Sequence, residues 1–209
     1  MQTLPRLLAL AAAALCVAHV QAATATFDFE NQPIPTETPF AMTAGSLSAS
    51  FAGPSDVDPG AFAISTNYPS PTGYAYRLMD GDFLTIGSAF GASGATLTVT
   101  FSAPVTAFTV DFALDDPTAA THLSISTNGG GAAQAGGALT SGFLYPEGVL
   151  SFSGAAFTQL TFQSDAIDFQ LDNLQVTTAA AVPEPGAAWL LGAGLPLLAG
   201  LRRRRAARA

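Results

Sequence analysis

The sequence predicts an all-β body, an antiparallel β-sandwich of jelly-roll-like kind, between an N-terminal signal helix and a C-terminal single transmembrane helix. Three observations carry this. Between positions 23 and 178 apolar residues recur at every second place, the strand period. Turn-forming dipeptides cut these runs into short pieces. No stretch of the body holds a 3.6-residue period, whereas each end carries an uninterrupted apolar run.

Residues 1–22 have the three parts of an export leader. Arg6 supplies the positive start, Leu7–Val17 is an apolar run too short to span a bilayer comfortably, and Val20-Gln21-Ala22 places small residues where a signal peptidase reads them. The expected cut follows Ala22. The one cysteine, Cys16, lies in this leader, so the mature body is expected to hold no thiol and no disulfide. Packing, with help from ions, must then stabilise it.

The body, 23–178, alternates strand by strand. Phe27 and Phe29 alternate with Thr26, Asp28 and Glu30. Leu47 and Phe51 alternate with serines. Leu97, Val99 and Phe101 oppose Thr96, Thr98 and Thr100. Phe108, Val110, Phe112 and Leu114 oppose Thr109, Asp111 and Ala113, and Leu123 and Ile125 alternate with His122 and Ser124. Each run has one apolar and one wet face, the pattern of an antiparallel sheet covered on one side. A second layer is required, because one sheet alone would leave a large apolar patch in water. Expected turns lie at Gly53-Pro54, Asp58-Pro59-Gly60, Asp80-Gly81, Ala103-Pro104 and Asp115-Asp116-Pro117. Nine to twelve strands fit the length. The Gly/Ala-rich stretch Asn128–Gly137 reads as a mobile loop. Near the end the phase slips: Ile167, Phe169 and Leu171 share odd positions, and Leu174 and Val176 even ones. A β-bulge at Asp172-Asn173 would keep both sets on the core.

Charge narrows the function classes. Lysine is absent, and of seven arginines only Arg77 lies in the body, against fourteen acids from Asp28 to Asp172. Such a body repels phosphate backbones, so no nucleic acid partner is expected. It tolerates divalent cations. With one histidine and no cysteine in the body, a His/Cys zinc site is ruled out in practice. There is no Gly-x-Ser-x-Gly elbow, and no phosphate loop with its lysine. His122, six residues after Asp116, reads as a solvent-facing strand residue rather than a base. No catalytic residue is singled out, and the protein is expected not to be an enzyme.

Two binding readings remain. Calcium takes six to eight oxygens; Asp56 with Asp58, Asp80 with Asp82, and Asp115 with Asp116 are candidates. Glu30 on the first strand with Asp172 and Asn173 on the last is the strongest structural-calcium candidate, because first and last strands often lie side by side. Sugar binding wants exposed rings to stack on C–H faces, and Tyr74 and Tyr76, at i and i+2, would share a strand face.

The far end, 179–209, begins with an alanine linker. Pro183-Glu184-Pro185 follows, then a fifteen-residue apolar stretch, Ala187–Leu201, and a basic cluster over 202–208 that includes Arg202, Arg203, Arg204 and Arg205. Fifteen helical residues span about 22 Å, short of a hydrocarbon core of roughly 30 Å, a gap that snorkelling arginines and local thinning can cover. The arginines are expected to stay cytoplasmic while the body faces outward. Together these residues resemble a PEP-CTERM sorting signal. The resemblance is confined to 182–209. It implies that an exosortase, a membrane cysteine protease of Gram-negative bacteria that make exopolysaccharide, cleaves near the motif. The body is then released or transferred to the cell surface. The implied partners are signal peptidase, exosortase, the inner membrane during sorting and exopolysaccharide afterwards. The Leu171-Asp172-Asn173-Leu174 ending resembles the last strand of many PEP-CTERM bodies and of some lectin-like sandwiches. The expected role is a non-enzymatic surface or exopolysaccharide-matrix protein. A calcium-stabilised carbohydrate-binding module is the first alternative, and a secreted glycoside hydrolase the second.

Overall fold

The computed structural model describes residues 22–34, 36–53, 62–67, 69–70, 73–87, 95–116 and 120–179. Ala23–Ala179 forms one compact unit. The leader and sorting-segment readings, over 1–21 and 180–209, lie outside the described residues. Among the described residues no helix is long and apolar enough to cross a membrane.

The fold is all-β. Its strands are β1 (Thr24–Phe27), β2 (Phe40–Ala44), β3 (Leu47–Ala52), β4 (Phe62–Thr66), β5 (Pro69–Ser70), β6 (Gly73–Tyr74), β7 (Asp82–Ile86), β8 (Thr96–Leu114), β9 (His122–Thr127), β10 (Ala132–Gly136), β11 (Ala138–Leu139), β12 (Pro146–Ser164) and β13 (Phe169–Thr178). Among the described residues, eleven belong to one antiparallel sheet, with the path β10-β9-β12-β8-β13-β7-β4, and β5 pairs only with β6. β1 lies antiparallel on β13 from Thr24↔Thr177 to Phe27↔Leu174, so first and last strands are neighbours, as expected.

The two 19-residue strands β8 and β12 organise the molecule. They pair over Phe112↔Gly148 to Ala107↔Ser153, lose register between Ser153 and Gln159, and resume from Thr100↔Gln159 to Thr96↔Gln163. On its other side β8 pairs with β13 beyond the break and with β3 before it. Phe108 is the register partner of Phe152, yet its ring centroid lies 6.0 Å from that of Phe162. Ten residues of straight strand would separate Phe152 from Phe162 by ~33 Å. The sheet therefore folds back on itself, and its two halves face each other across one core. The Ala103-Pro104 pair lies at this bend, inside β8, and not in a turn between strands. Pro104 has no N–H to give the ladder, and its carbonyl accepts from Ala179 N at 2.9 Å.

The predicted apolar faces line this core. Leu97, Val99, Phe101, Phe108, Val110, Phe112, Leu123 and Ile125 are buried, as are Phe27, Phe29, Leu47 and Phe51. Phe51 is wedged between Phe27, Phe29 and Phe40, with ring centroids at 6.0, 5.4 and 5.0 Å. The bulge at Asp172-Asn173 is present. The β13–β8 register shifts between Asp172 and Gln175, Asn173 takes φ 51°, and Leu171, Leu174 and Val176 all reach the core. Ile167, by contrast, precedes β13 and is exposed. The Asn128–Gly137 stretch is not a loop throughout: its second half is β10, paired with β9. Just before it, Gly131 lets the Phe152 ring lie against the backbone, where a Cβ would come 2.1 Å from the ring.

Candidate functional site

A second, smaller apolar cluster lies on the outer face of the sheet, away from the main core. It comprises Ala75, Tyr76, Met79, Phe83 and Ala113, with Leu78 and Tyr145 packed against it. The segment 75–81, between β6 and β7, covers that face and forms one wall of the candidate site.

Three carboxylates from distant parts of the chain hold this segment by its backbone. Glu147 on β12 accepts Arg77 N at 2.5 Å and Leu78 N at 2.8 Å. Asp172 on β13 accepts Asp80 N at 3.0 Å, and Glu30 accepts Asp82 N at 2.9 Å. Asn67, just past β4, completes the cradle: its Nδ2 donates to Tyr76 O at 3.2 Å and Met79 O at 2.7 Å. Gly81 takes φ 66°, and a Cβ there would lie 2.0 Å from Glu30 Oε1, so only glycine lets the Glu30 carboxylate approach. Unpaired backbone N–H groups are costly when buried, and each of these carboxylates removes one or two from that state.

The sheet register places the acids. Asp111 on β8 is the Cα partner of Asp172, and two residues along β8 Ala113 is the partner of Glu147. Positions i and i+2 share a face, so Asp111, Glu147 and Asp172 all stand on the outer side. Asp172 is 1% exposed. Burial disfavours its charge, and the charges of Asp111 and Glu30 add to this against the two amides it accepts, so its pKa is pushed up to about 7. Burial also raises Asp111, against the hydrogen bond from Asn173, and raises Glu147, against the amides and charge of the Arg77 segment. Arg77 Nε stands 3.8 Å from Glu147 Oε2.

A cleft of about 560 Å³ opens beside this cradle, lined by Asn67, Tyr76, Arg77, Met79, Asp80, Gly81 and Phe143. It offers an apolar wall from Met79 and Phe143 beside an amide, a guanidinium and a carboxylate. Such a surface suits a ligand with hydroxyls on a C–H framework. Glu30, Glu147 and Asp172, which do not line the cleft, accept backbone donors of its wall and so position it.

The residues singled out from the sequence fall as follows. Glu30 and Asp172 converge on the same segment, although Glu30 lies not on the first strand but in the turn three residues past the end of β1. Asn173 turns its amide nitrogen to Asp111 Oδ2 at 3.2 Å, so it faces a carboxylate as a donor. Among the described residues no three His, Cys, Asp or Glu side chains are grouped to hold a metal ion. Asp82 accepts from Thr66 Oγ1, and Asp115 is raised by burial and by the neighbouring charges of Asp168 and Asp116. Tyr76 is not an open stacking platform. It lies outside any strand and is buried, its ring stacked on Tyr145 at 4.8 Å and edge-on to Phe83 at 5.0 Å. Tyr74 ends β6, and its side chain lies outside what is described. His122 is solvent-facing, and the carboxylate beside it is Asp165 at 3.7 Å rather than Asp116. Sequence reasoning passed over Glu147, Asp111, Asn67 and Phe143. The one available signal was Arg77, a lone cation in an acidic body, which marks where a buried acid needs a partner.

No family model matches the chain, and no curated protein matches it. Among solved structures, the catalytic domain of a GH87 alpha-1,3-glucanase is similar at 13% identity and TM-score 0.41, over 80% of this chain and 30% of that one. The enzymatically active domain of bacteriophage CBA120 tailspike protein 4 is similar at 15% identity and TM-score 0.33, over 64% of this chain and 19% of that one. TmCBM61, solved with beta-1,4-galactotriose, is similar at 11% identity and TM-score 0.33, over 63% of this chain and 88% of that one. The chain thus spans less than a third of the first two.

Proposed function

We propose that this is an exported, PEP-CTERM-sorted protein whose doubled sheet is a jelly-roll-like β-sandwich displayed on the cell surface or in the exopolysaccharide matrix. Its role is interaction rather than turnover, and its ligand class is carbohydrate, held in the cleft beside Arg77. The observation that carries the ligand reading is the cradle itself. Three carboxylates and Asn67 fix the 75–82 backbone into a pre-formed wall with an apolar patch and converging polar groups. Preformed walls of this kind lower the ordering cost of binding.

The termini of the body support the display reading. Ala23 N donates to Thr178 Oγ1 at 3.0 Å, and Thr178 N donates to Ala23 O at 2.8 Å. The residue expected to follow leader cleavage therefore sits beside the residue that leads to the sorting segment. Asp172 lies six residues back along β13, ~20 Å away at strand rise.

The test is in two parts. The intact mass of protein recovered from surface and medium fractions of the host should begin at Ala23 and end near Pro183–Pro185, without the arginines. Retention of Arg202–Arg205 in a membrane fraction would contradict sorting. That mature form should then bind a defined set of glycans, with at least tenfold loss in Arg77→Ala and Phe143→Ala. Binding unchanged in both variants would remove the cleft from the reading, and turnover of a glycan would replace binding with hydrolysis.

A further inference from the structure

The acids around the 75–82 segment are of two kinds. Glu30 accepts Asp82 N, Asp172 accepts Asp80 N, and Glu147 accepts Arg77 N and Leu78 N. Asp111 accepts from Asn173 Nδ2, and Asp82 accepts from Thr66 Oγ1 at 2.6 Å. Asp80 differs. Its side chain is exposed, and among the described residues its carboxylate accepts no hydrogen bond and joins no ion pair. Of these six acids it is also the one that lines the cleft.

The backbone of Asp80 is nevertheless clamped. Its N donates to Asp172 Oδ2 at 3.0 Å, and the carbonyls on either side, Met79 O and Gly81 O, accept from Asn67 at 2.7 and 2.8 Å. An acceptor with two oxygens therefore stands at a fixed place in the cleft, with no donor of the protein's own. Neighbouring hydroxyls of a sugar ring supply such donors, and hydrogen bonds to a charged acceptor are roughly twice as strong as neutral ones. Met79 and Phe143 offer the apolar surface for the C–H face of the same ring.

Charge decides which sugars are admitted. Arg77 is the one arginine or lysine of the body, and its Nε stands 3.8 Å from Glu147 Oε2. Glu147 offsets it, and Asp80 adds a negative charge with no counterion. The body around them carries fourteen acids, so the field at the cleft is negative. A uronate, sulfate or phosphate group on a sugar would stand there against like charge, which suppresses wrong partners.

We infer that Asp80 sets the specificity of the cleft, accepting ligand hydroxyls and turning away acidic sugars, so that the cleft takes neutral glycans. This rests on the carbohydrate reading of the cleft, and it adds the class of glycan and the residue that selects it.

The test titrates the protein recovered from its host with neutral gluco-, galacto- and manno-oligosaccharides, each paired with its C6-oxidised uronate form. At low salt the neutral member of a bound pair should bind about tenfold more tightly or better, and added salt should narrow the gap by screening. Asp80→Asn removes the charge from an exposed side chain that packs on nothing and keeps the backbone bonds. It should weaken neutral binding about tenfold or more and abolish the preference over the uronate. Uronate forms that bind as tightly as neutral ones would overturn this inference and leave the cleft standing. So would neutral binding that Asp80→Asn leaves unchanged while Phe143→Ala weakens it. No binding in either class, or binding indifferent to both Arg77→Ala and Phe143→Ala, would overturn the cleft reading and this inference with it.

Discussion

Asp111 on β8 and Asp172 on β13 are direct register partners, so two carboxylates stand side by side on one face of the sheet, beneath the 75–82 segment. Burial raises the pKa of both, and that of Asp172 to about 7. Glu147 and Asp115 are raised in the same direction. A carboxyl whose folded pKa exceeds its unfolded value binds protons more tightly when folded. Its stabilising effect is complete below the unfolded value near 4 and is lost as pH rises through the folded one. For Asp172 the loss is at most about 4 kcal/mol, and less after solvent screening. Thermal unfolding should therefore occur several degrees higher at pH 5 than at pH 8. A melting temperature that climbs over that window would mean the amide donors outweigh burial.

Glu147 is expected to hold the cleft wall shut. Glu147→Ala leaves Arg77 N and Leu78 N without their acceptor, at a cost of about 2–4 kcal/mol. Arg77 is the only Lys or Arg between 23 and 178, so trypsin reports directly on this segment. Cleavage after Arg77 should be at least tenfold faster in the variant, and an unchanged rate would show that the apolar cluster alone retains the wall.

The bend in β12 depends on Asn128. Its Oδ1 accepts Thr158 N at 3.0 Å and Gln159 N at 3.1 Å, where the ladder with β8 has lost register. Asn128→Ala should cost about 1–2 kcal/mol in urea unfolding. Asn128→Asp keeps both acceptor bonds and should cost less. Both variants lose the bond from Asn128 Nδ2 to Thr158 Oγ1 at 3.0 Å, so equal losses would assign the effect to that donor or to the turn and not to the acceptor bonds.

Phe51 joins β3 to the core through three other rings. Phe51→Ala should destabilise by about 3–5 kcal/mol in denaturant titration. A loss under 1 kcal/mol would mean that Phe27, Phe29 and Phe40 close over the space.

Much of this was legible in the sequence. Period-two runs at 97–101, 108–114 and 123–125 became strands with the expected inward faces. The phase slip at Asp172-Asn173 became a bulge, because an extra residue is the cheapest way to keep Leu171 and Leu174 on the same side. The failures have physical causes too. Ala103-Pro104 read as a turn because proline breaks a ladder, but where two strands bend together a missing donor does no harm. The Gly/Ala run read as a loop because small residues form weak strands alone. At β10, Phe152 lies over Gly131, and only a missing side chain admits its ring.

The candidate site was legible only in part. Glu30 and Asp172 were singled out as calcium ligands from the tendency of first and last strands to be neighbours; in the fold both accept backbone amides of the 75–82 segment. Tyr76 was expected at the surface from its spacing with Tyr74, but its ring is consumed in packing on Tyr145 and Phe83.

By itself, the sequence determined the strand class, the inward faces and the lone body cation, because periodicity and charge are properties of a line. Only the tertiary structure decided that positions 30, 67, 147 and 172 close on one segment, and that Asp172 meets Asp111. Strand register brings together residues that nothing in their spacing connects, and burial, which sets their electrostatics, exists only once the sheet has folded over.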